Sequence, residues 1–200
     1  MTSSSHVSVG ITGLMGSGKS EAANYIKRTG YPVLLMDQVG HDTLKDKDIL
    51  THLVKVFGES ILDNRAHIAR KRLSEIVFTN QRKLTVLNDI LHPKMNKKAK
   101  EWITWHFKRG HSLVFVEAAI LFEMKMNQFL DITVLIKAAE SDIRKRIIRR
   151  DHKSPQEIEK ILKTQTVTEE KADYVIYNDS TLKDLYKSCD DLIEKLTQRL

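Results

Sequence analysis

Cysteine occurs once in these 200 residues, at Cys189. That excludes an internal disulfide and any zinc site built from several thiolates, and it fits a reducing compartment. Proline occurs 3 times and glycine 8 times. No Pro/Gly/Ser-rich stretch acts as a linker, and no repeat or low-complexity tract divides the chain. Aromatic residues make up only 6%, sparse for a surface that grips nucleic acid by stacking. No apolar run approaches the ~20 residues that a bilayer-spanning helix needs. The opening MTSSSHVSVG has neither the basic start nor the apolar stretch of a secretory leader. A cytoplasmic protein without membrane or nucleic-acid partners is expected, and the oligomeric state leaves no mark in the sequence.

Apolar residues supply 41% of the chain, enough for a packed core. Lys and Arg exceed Asp and Glu by 33 to 26, a net charge of +7. Such an excess points to an anionic partner without choosing between nucleic acid, membrane and small phosphorylated ligands. Short apolar, β-branched runs alternate with segments of helical spacing. Val7–Thr12, Pro32–Met36, Ser112–Val116, Ile132–Ile136 and Tyr174–Tyr177 read as strands. Ser20–Arg28, Asp46–Phe57, Ile68–Phe78, Gln81–Leu91, Lys94–Lys108, Glu140–Arg150, Pro155–Gln165 and Leu182–Leu200 read as helices. Strands alternating with helices predict a parallel sheet of about five strands, flanked by helices, with ligands at the carboxyl ends of the strands. The predicted organisation is a single domain over residues 1–200. Its core covers about 6–37, 110–150 and 172–200, interrupted by a helical insertion over about 38–109 and a lid over about 150–171.

The strongest local signal is GLMGSGKS: Gly13, Leu14, Met15, Gly16, Ser17, Gly18, Lys19 and Ser20. It satisfies G-x-x-x-x-G-K-[ST] between a predicted strand and a predicted helix, the context that phosphate binding requires. Glycines let successive backbone N–H groups turn toward one anion, and the helix N-terminus adds partial positive charge. Lys19 then reaches the β- and γ-phosphates, and Ser20 holds Mg²⁺. The motif predicts nucleoside triphosphate binding and leaves the phosphoryl acceptor unnamed.

Carboxylates follow two of the strands. Asp37, after VLLM, reads either as a general base for an attacking hydroxyl or as a helix cap or turn residue. Glu117, ending LVFV, reads either as a Mg²⁺ ligand, directly or through water, or as a solvated acid. Glu123 reads as an ordinary loop carboxylate or as a substrate contact. The segment ESDIRKRIIRRD gathers Arg144, Lys145, Arg146, Arg149 and Arg150. Arg149 and Arg150 adjoin the predicted lid and read either as arginines that close over transferring phosphates or as part of a solvated basic helix face. Arg144 and Lys145 read as a solvated helix face. Arg70 and Arg72, in the helical insertion, are candidates to grip phosphates of a second substrate. His92, just before Pro93, reads as a helix-end or packing histidine rather than a catalyst.

The ordered set of motifs resembles the dephospho-coenzyme A kinase family of P-loop kinases, from Val9 to about Leu196. GITGLMGSGKS resembles the family's phosphate loop, and GYPVLLMD its segment ending in Asp-x-Asp. IARKRLSEIVF is similar to its Arg-containing helix, LHPKM to its Leu-His-Pro element, and VFVEAAILFE to its strand with Pro-Leu-Leu-Phe-Glu. RRDHKSPQEIEKILKTQ and KADYVIYND resemble its lid, the following helix and the last strand. The resemblance implies transfer of the γ-phosphate of ATP to the ribose 3′-hydroxyl of dephospho-coenzyme A, with Mg²⁺. It implies Asp37 as base, Lys19 and Ser20 on phosphates and metal, Arg150 over the ATP phosphates and Glu117 at the metal. Arg70, His92 and Glu123 are carried over as acceptor contacts, and the helical insertion as the acceptor-binding region. Leu35, His41, Ala119, Thr164 and Thr166 depart from the family pattern. Another small-molecule kinase, a nucleotide-dependent nucleic-acid binder and a non-catalytic nucleotide sensor are the rival readings.

Overall fold

The computed structural model describes residues 6–151, 154–164 and 169–200. Its strands are β1 (Val7–Thr12), β2 (Val33–Leu35), β3 (Leu113–Glu117), β4 (Ile132–Lys137) and β5 (Tyr174–Tyr177). Its helices are α1 (Lys19–Arg28), α2 (Met36–Thr43), α3 (Lys47–Phe57), α4 (Arg70–Phe78), α5 (Gln81–Lys108), α6 (Glu140–Asp151), α7 (Pro155–Thr164) and α8 (Leu182–Thr197). Contacts divide the chain into two compact units, Met1–Leu35 with Trp102–Leu200 and Met36–Glu101.

The first unit carries all five strands in one parallel sheet, ordered β2-β3-β1-β4-β5. β1 and β3 are buried nearly throughout, as expected for strands covered on both faces. The chain leaves β1 toward β2 on one side and later crosses to β4 on the other. The loop after β1 therefore sits where strand order reverses, the place where such sheets bind ligands. Register aligns the strand ends there: Glu117 pairs with Ile11 of β1 and with Leu35 of β2.

Helical spacing decides what covers the sheet. Ala22, Ala23 and Ile26 of α1 and Leu185, Cys189, Leu192 and Leu196 of α8 join Val9, Ile11, Phe115, Val134 and Ile136 in one core. Two adjacent alanines, Ala22 and Ala23, let α1 lie close to the strands. A stacked pair, Tyr25 on Tyr186 with centroids 4.2 Å apart, ties α1 to α8 at their outer edge. The Tyr186 hydroxyl also donates to Glu21 at 2.5 Å. α8 begins with a capping box, Thr181 with Asp184. A second cluster joins Ile143 and Ile147 of α6 to Ile158 of α7, and Leu14 and Met15 pack against it. Arg144 reaches both Glu140 and Glu159, so it clamps α6 to α7 rather than decorating a solvated face.

The second unit is helical, with Ile49, Leu53, Ile61, Leu73 and Val77 at its centre. Lys94 and Lys98 of α5 pair with Asp46, which precedes α3. The sequence reads two helices on either side of His92-Pro93, but α5 runs unbroken through Pro93. Proline removes one backbone bond and crowds the preceding turn, at about 3 kcal/mol. Met95 and Ala99, buried on one face beyond it, hold the helix together. Likewise β2 stops at Leu35 and α2 starts at Met36, so Asp37 lies in a helical first turn instead of at a strand tip. Of the expected lid, His152, Lys153, Gln165, Thr166, Val167 and Thr168 lie outside the described residues.

Candidate active site

The phosphate loop connects β1 to α1 through glycines in conformations that L-residues avoid. Gly16 has φ +81° and Gly18 φ +102°. Gly18 is the residue before α1, and no side chain caps that helix. The first-turn N–H groups of α1 are therefore left for an anion. Gly16, Gly18, Lys19 and Ser20 line a cavity of about 500 Å³. Arg146, Arg149 and Arg150 of α6 complete its basic wall, with Glu21 and Asn24 of α1 beside them. Four cations against one carboxylate make this a site for a polyanion.

The rest of the loop serves its shape. Leu14 and Met15 pack into the α6–α7 cluster. Ser17 is buried, and its N–H donates to the Leu14 carbonyl at 3.1 Å. Gly13 approaches β4 so closely that a Cβ there would lie 2.4 Å from the Ile136 carbonyl oxygen.

At the opposite edge of the loop, Ser20 Oγ donates to Glu117 Oε1 at 3.3 Å. Glu117 is 4% exposed. A hydroxyl and a buried carboxylate are hard oxygen donors of the kind Mg²⁺ takes. Among the described residues no group of three or more His, Cys, Asp or Glu forms a metal cage. Such a pair therefore suits an ion held mainly by substrate phosphates and water.

The remaining predicted residues are placed as follows. Glu123 is exposed in the turn region after β3. Asp37, Arg70 and His92 belong to the second unit. Asp37 is exposed in the first turn of α2, two residues past Leu35. Arg70 is the exposed first residue of α4, and His92 is half-buried in α5. Arg72 donates a guanidinium N–H to the Leu62 carbonyl and so braces its own unit. Leu35 packs at the edge of the main core. The Ala119 carbonyl accepts a 3.4 Å bond from Thr12 Oγ1.

Glu21 and Asn24 of the cavity wall were not singled out from the sequence, and neither was Asn178. Asn178, just past β5 and 4% exposed, donates from Nδ2 to the Ser17 carbonyl at 2.7 Å. Its only sequence signal is its place at the carboxyl end of a strand, where ligand-site residues collect.

The chain is similar to known kinases in sequence and in fold. The family model of dephospho-CoA kinase matches residues 7–184. The curated dephospho-CoA kinase of Fusobacterium nucleatum is 37% identical, across 94% of this chain and 97% of that one. The solved dephospho-CoA kinase from Campylobacter jejuni superposes with a TM-score of 0.72 at 27% identity, covering 96% of this chain and 97% of that one. Shikimate kinase from Bacteroides thetaiotaomicron, 13% identical with a TM-score of 0.57 over 94% of this chain and 98% of that one, shares the fold.

Proposed function

Since the chain belongs to the dephospho-CoA kinase family, and is a phosphotransferase that carries a phosphoryl group from ATP to dephospho-CoA in the last step of coenzyme A biosynthesis, we propose how its own residues perform that transfer. The observation that carries the reading is the polyanion cavity at the start of α1, walled by Lys19, Arg149 and Arg150.

Backbone N–H groups of the loop and of the first turn of α1 hold the triphosphate, and Lys19 neutralises its distal end. Arg149 and Arg150, one turn beyond Arg146 on the same face of α6, meet the charge that spreads over the transferring group. Ser20 and Glu117 would hold Mg²⁺, which when bound offsets phosphate charge. Asp37 accepts the proton of the ribose 3′-hydroxyl; its place in the motif GYPVLLMD supports this role. Arg70, His92 and Glu123 contact the acceptor, and the helical unit that carries Arg70 and His92 is its binding region. The segment from Arg150 to Lys171 acts as a lid, and the protein works in the cytoplasm. Positioning and electrostatics supply most of the acceleration, and no covalent intermediate is required.

The test is ADP release from ATP and Mg²⁺, with dephospho-CoA or nucleoside monophosphates as acceptor and coenzyme A identified by mass. Turnover with dephospho-CoA alone supports the reading. Turnover only with another acceptor overturns the substrate. Asp37→Asn is expected to lower kcat by at least about 100-fold, within the usual range for losing a general base, while KM for ATP stays put. Near wild-type kcat in that variant removes Asp37 as the base.

A further inference from the structure

The carbonyl side of the phosphate loop is engaged by the protein's own side chains. Asn178 Nδ2 donates to the Ser17 carbonyl at 2.7 Å. Arg146 Nη1 lies 3.3 Å from the same oxygen and 3.4 Å from the Gly16 carbonyl, while its Nη2 donates to the Asn178 carbonyl at 2.9 Å. Asn178 is itself held, its N–H donating to the Lys137 carbonyl of β4 at 2.7 Å. Among the described residues no carboxylate pairs with Arg146. An arginine with carboxylates near it takes them first, as Arg144 does two residues earlier. Arg146 instead directs its fork at three main-chain oxygens.

We propose that Arg146 and Asn178 form a brace that sets the phosphate loop for its nucleotide, acting as positioning residues for Gly18 and for the arginines that follow on α6. The Ser17 carbonyl and the Gly18 N–H belong to one planar trans unit and point in opposite directions. Tying that carbonyl to Asn178 turns the Gly18 N–H the other way, and Gly18 lines the cavity. The glycine is part of the device: a Cβ at Gly18 would lie 2.2 Å from Asn178 Nδ2. The guanidinium fork fixes a second relation. Arg146, Arg149 and Arg150 share one helix face and one cavity. Anchoring Arg146 on the loop therefore sets the register in which the other two meet the phosphates.

The inference rests on the nucleotide reading of this cavity, and its test separates the two. ADP binding is measured by calorimetry on wild type, Asn178→Ala, Arg146→Ala and Arg146→Lys, beside the melting temperature of each ligand-free protein and KM for both substrates. Each variant is expected to bind ADP about tenfold or more weakly, a change of about 1.4 kcal/mol. KM for ATP rises in step and KM for the acceptor does not. Arg146→Lys keeps the charge but loses the fork, so it is expected to fail as Arg146→Ala does. Wild-type ADP affinity in Arg146→Lys would show that only charge matters and overturn the brace. So would an Asn178→Ala protein that melts earlier yet binds ADP normally once folded. A wild type that binds no ADP at all refutes the nucleotide reading instead.

Discussion

Replacing Gly18 with alanine tests the loop most directly. Gly18 holds φ +102° and ψ 9°, where an L-residue is strained by about 1–3 kcal/mol. The new Cβ would also lie 2.2 Å from Asn178 Nδ2 and 3.8 Å from Leu185 Cδ2. The second distance is ordinary contact, so Asn178 is the obstacle. If Asn178 swings away, it gives up its 2.7 Å bond to the Ser17 carbonyl inside a nearly closed site, about 1–3 kcal/mol for groups left unsatisfied. A smaller unfolded-state entropy returns about 0.4–1 kcal/mol. The net loss is about 1–5 kcal/mol, against the roughly 5–15 kcal/mol that keeps such a domain folded. At about 2–4 °C per kcal/mol for a chain of this size, the melting temperature is expected to fall by about 10 °C. Chemical denaturation followed by circular dichroism measures the loss, and a double-mutant cycle with Asn178→Ala assigns it. The double variant is expected to be more stable than the two single losses added together, by about 1 kcal/mol or more. Strict additivity would refute the contact between position 18 and Asn178 as the source of the damage. ADP affinity should remain poor in the double variant, because removing the obstacle does not restore the brace.

Other outcomes follow from side chains away from the cavity. Cys189 is fully buried among the α8 core contacts, and burial pushes its thiol up to about 12; a thiol reagent at pH 8 should label it only as fast as the protein unfolds, and fast labelling of the native protein would contradict that packing. Arg144→Ala should loosen α7 from α6, seen as faster amide exchange along Pro155–Thr164, while hydrogen exchange in β1 and β3 stays unchanged. Hydrogen bonds from Ser180 and from the side chain and backbone of Thr181 hold the Asp184 carboxyl down at about 2, below its ordinary 3.8. A depressed carboxylate stabilises the folded state above pH 3.8 and loses that contribution as pH falls toward 2. Asp184→Asn should therefore melt below wild type at pH 6, and the gap should narrow between pH 4 and pH 2; a gap that widens on acidification would reverse the assignment.

What was legible in the sequence divides along physical lines. The phosphate loop was legible because its chemistry is local: eight consecutive residues specify the turn, the cation and the helix start, whatever surrounds them. The five strands were legible because a sheet covered on both faces demands short apolar runs, and β1, β3 and β4 supply them. Pro93 misled because proline weighs against a helix only through the local backbone, whereas the burial of Met95 and Ala99 is a feature of the packed fold. Arg144 and Arg146 are neighbours in a run of basic residues, and composition alone treats them alike. Helical phase separates them: Arg144 meets Glu140 and Glu159, while Arg146 faces the loop. Asn178 lies 161 positions from the carbonyl it holds, and no spacing rule connects them. Yet Gly18 carries half of that signal. A glycine in this position is usually explained by the ligand's need for room, but here the space beside it is also filled by a protein amide. Sequence shows that something must sit close to residue 18. Only the fold shows that part of it is an amide just past the protein's own last strand.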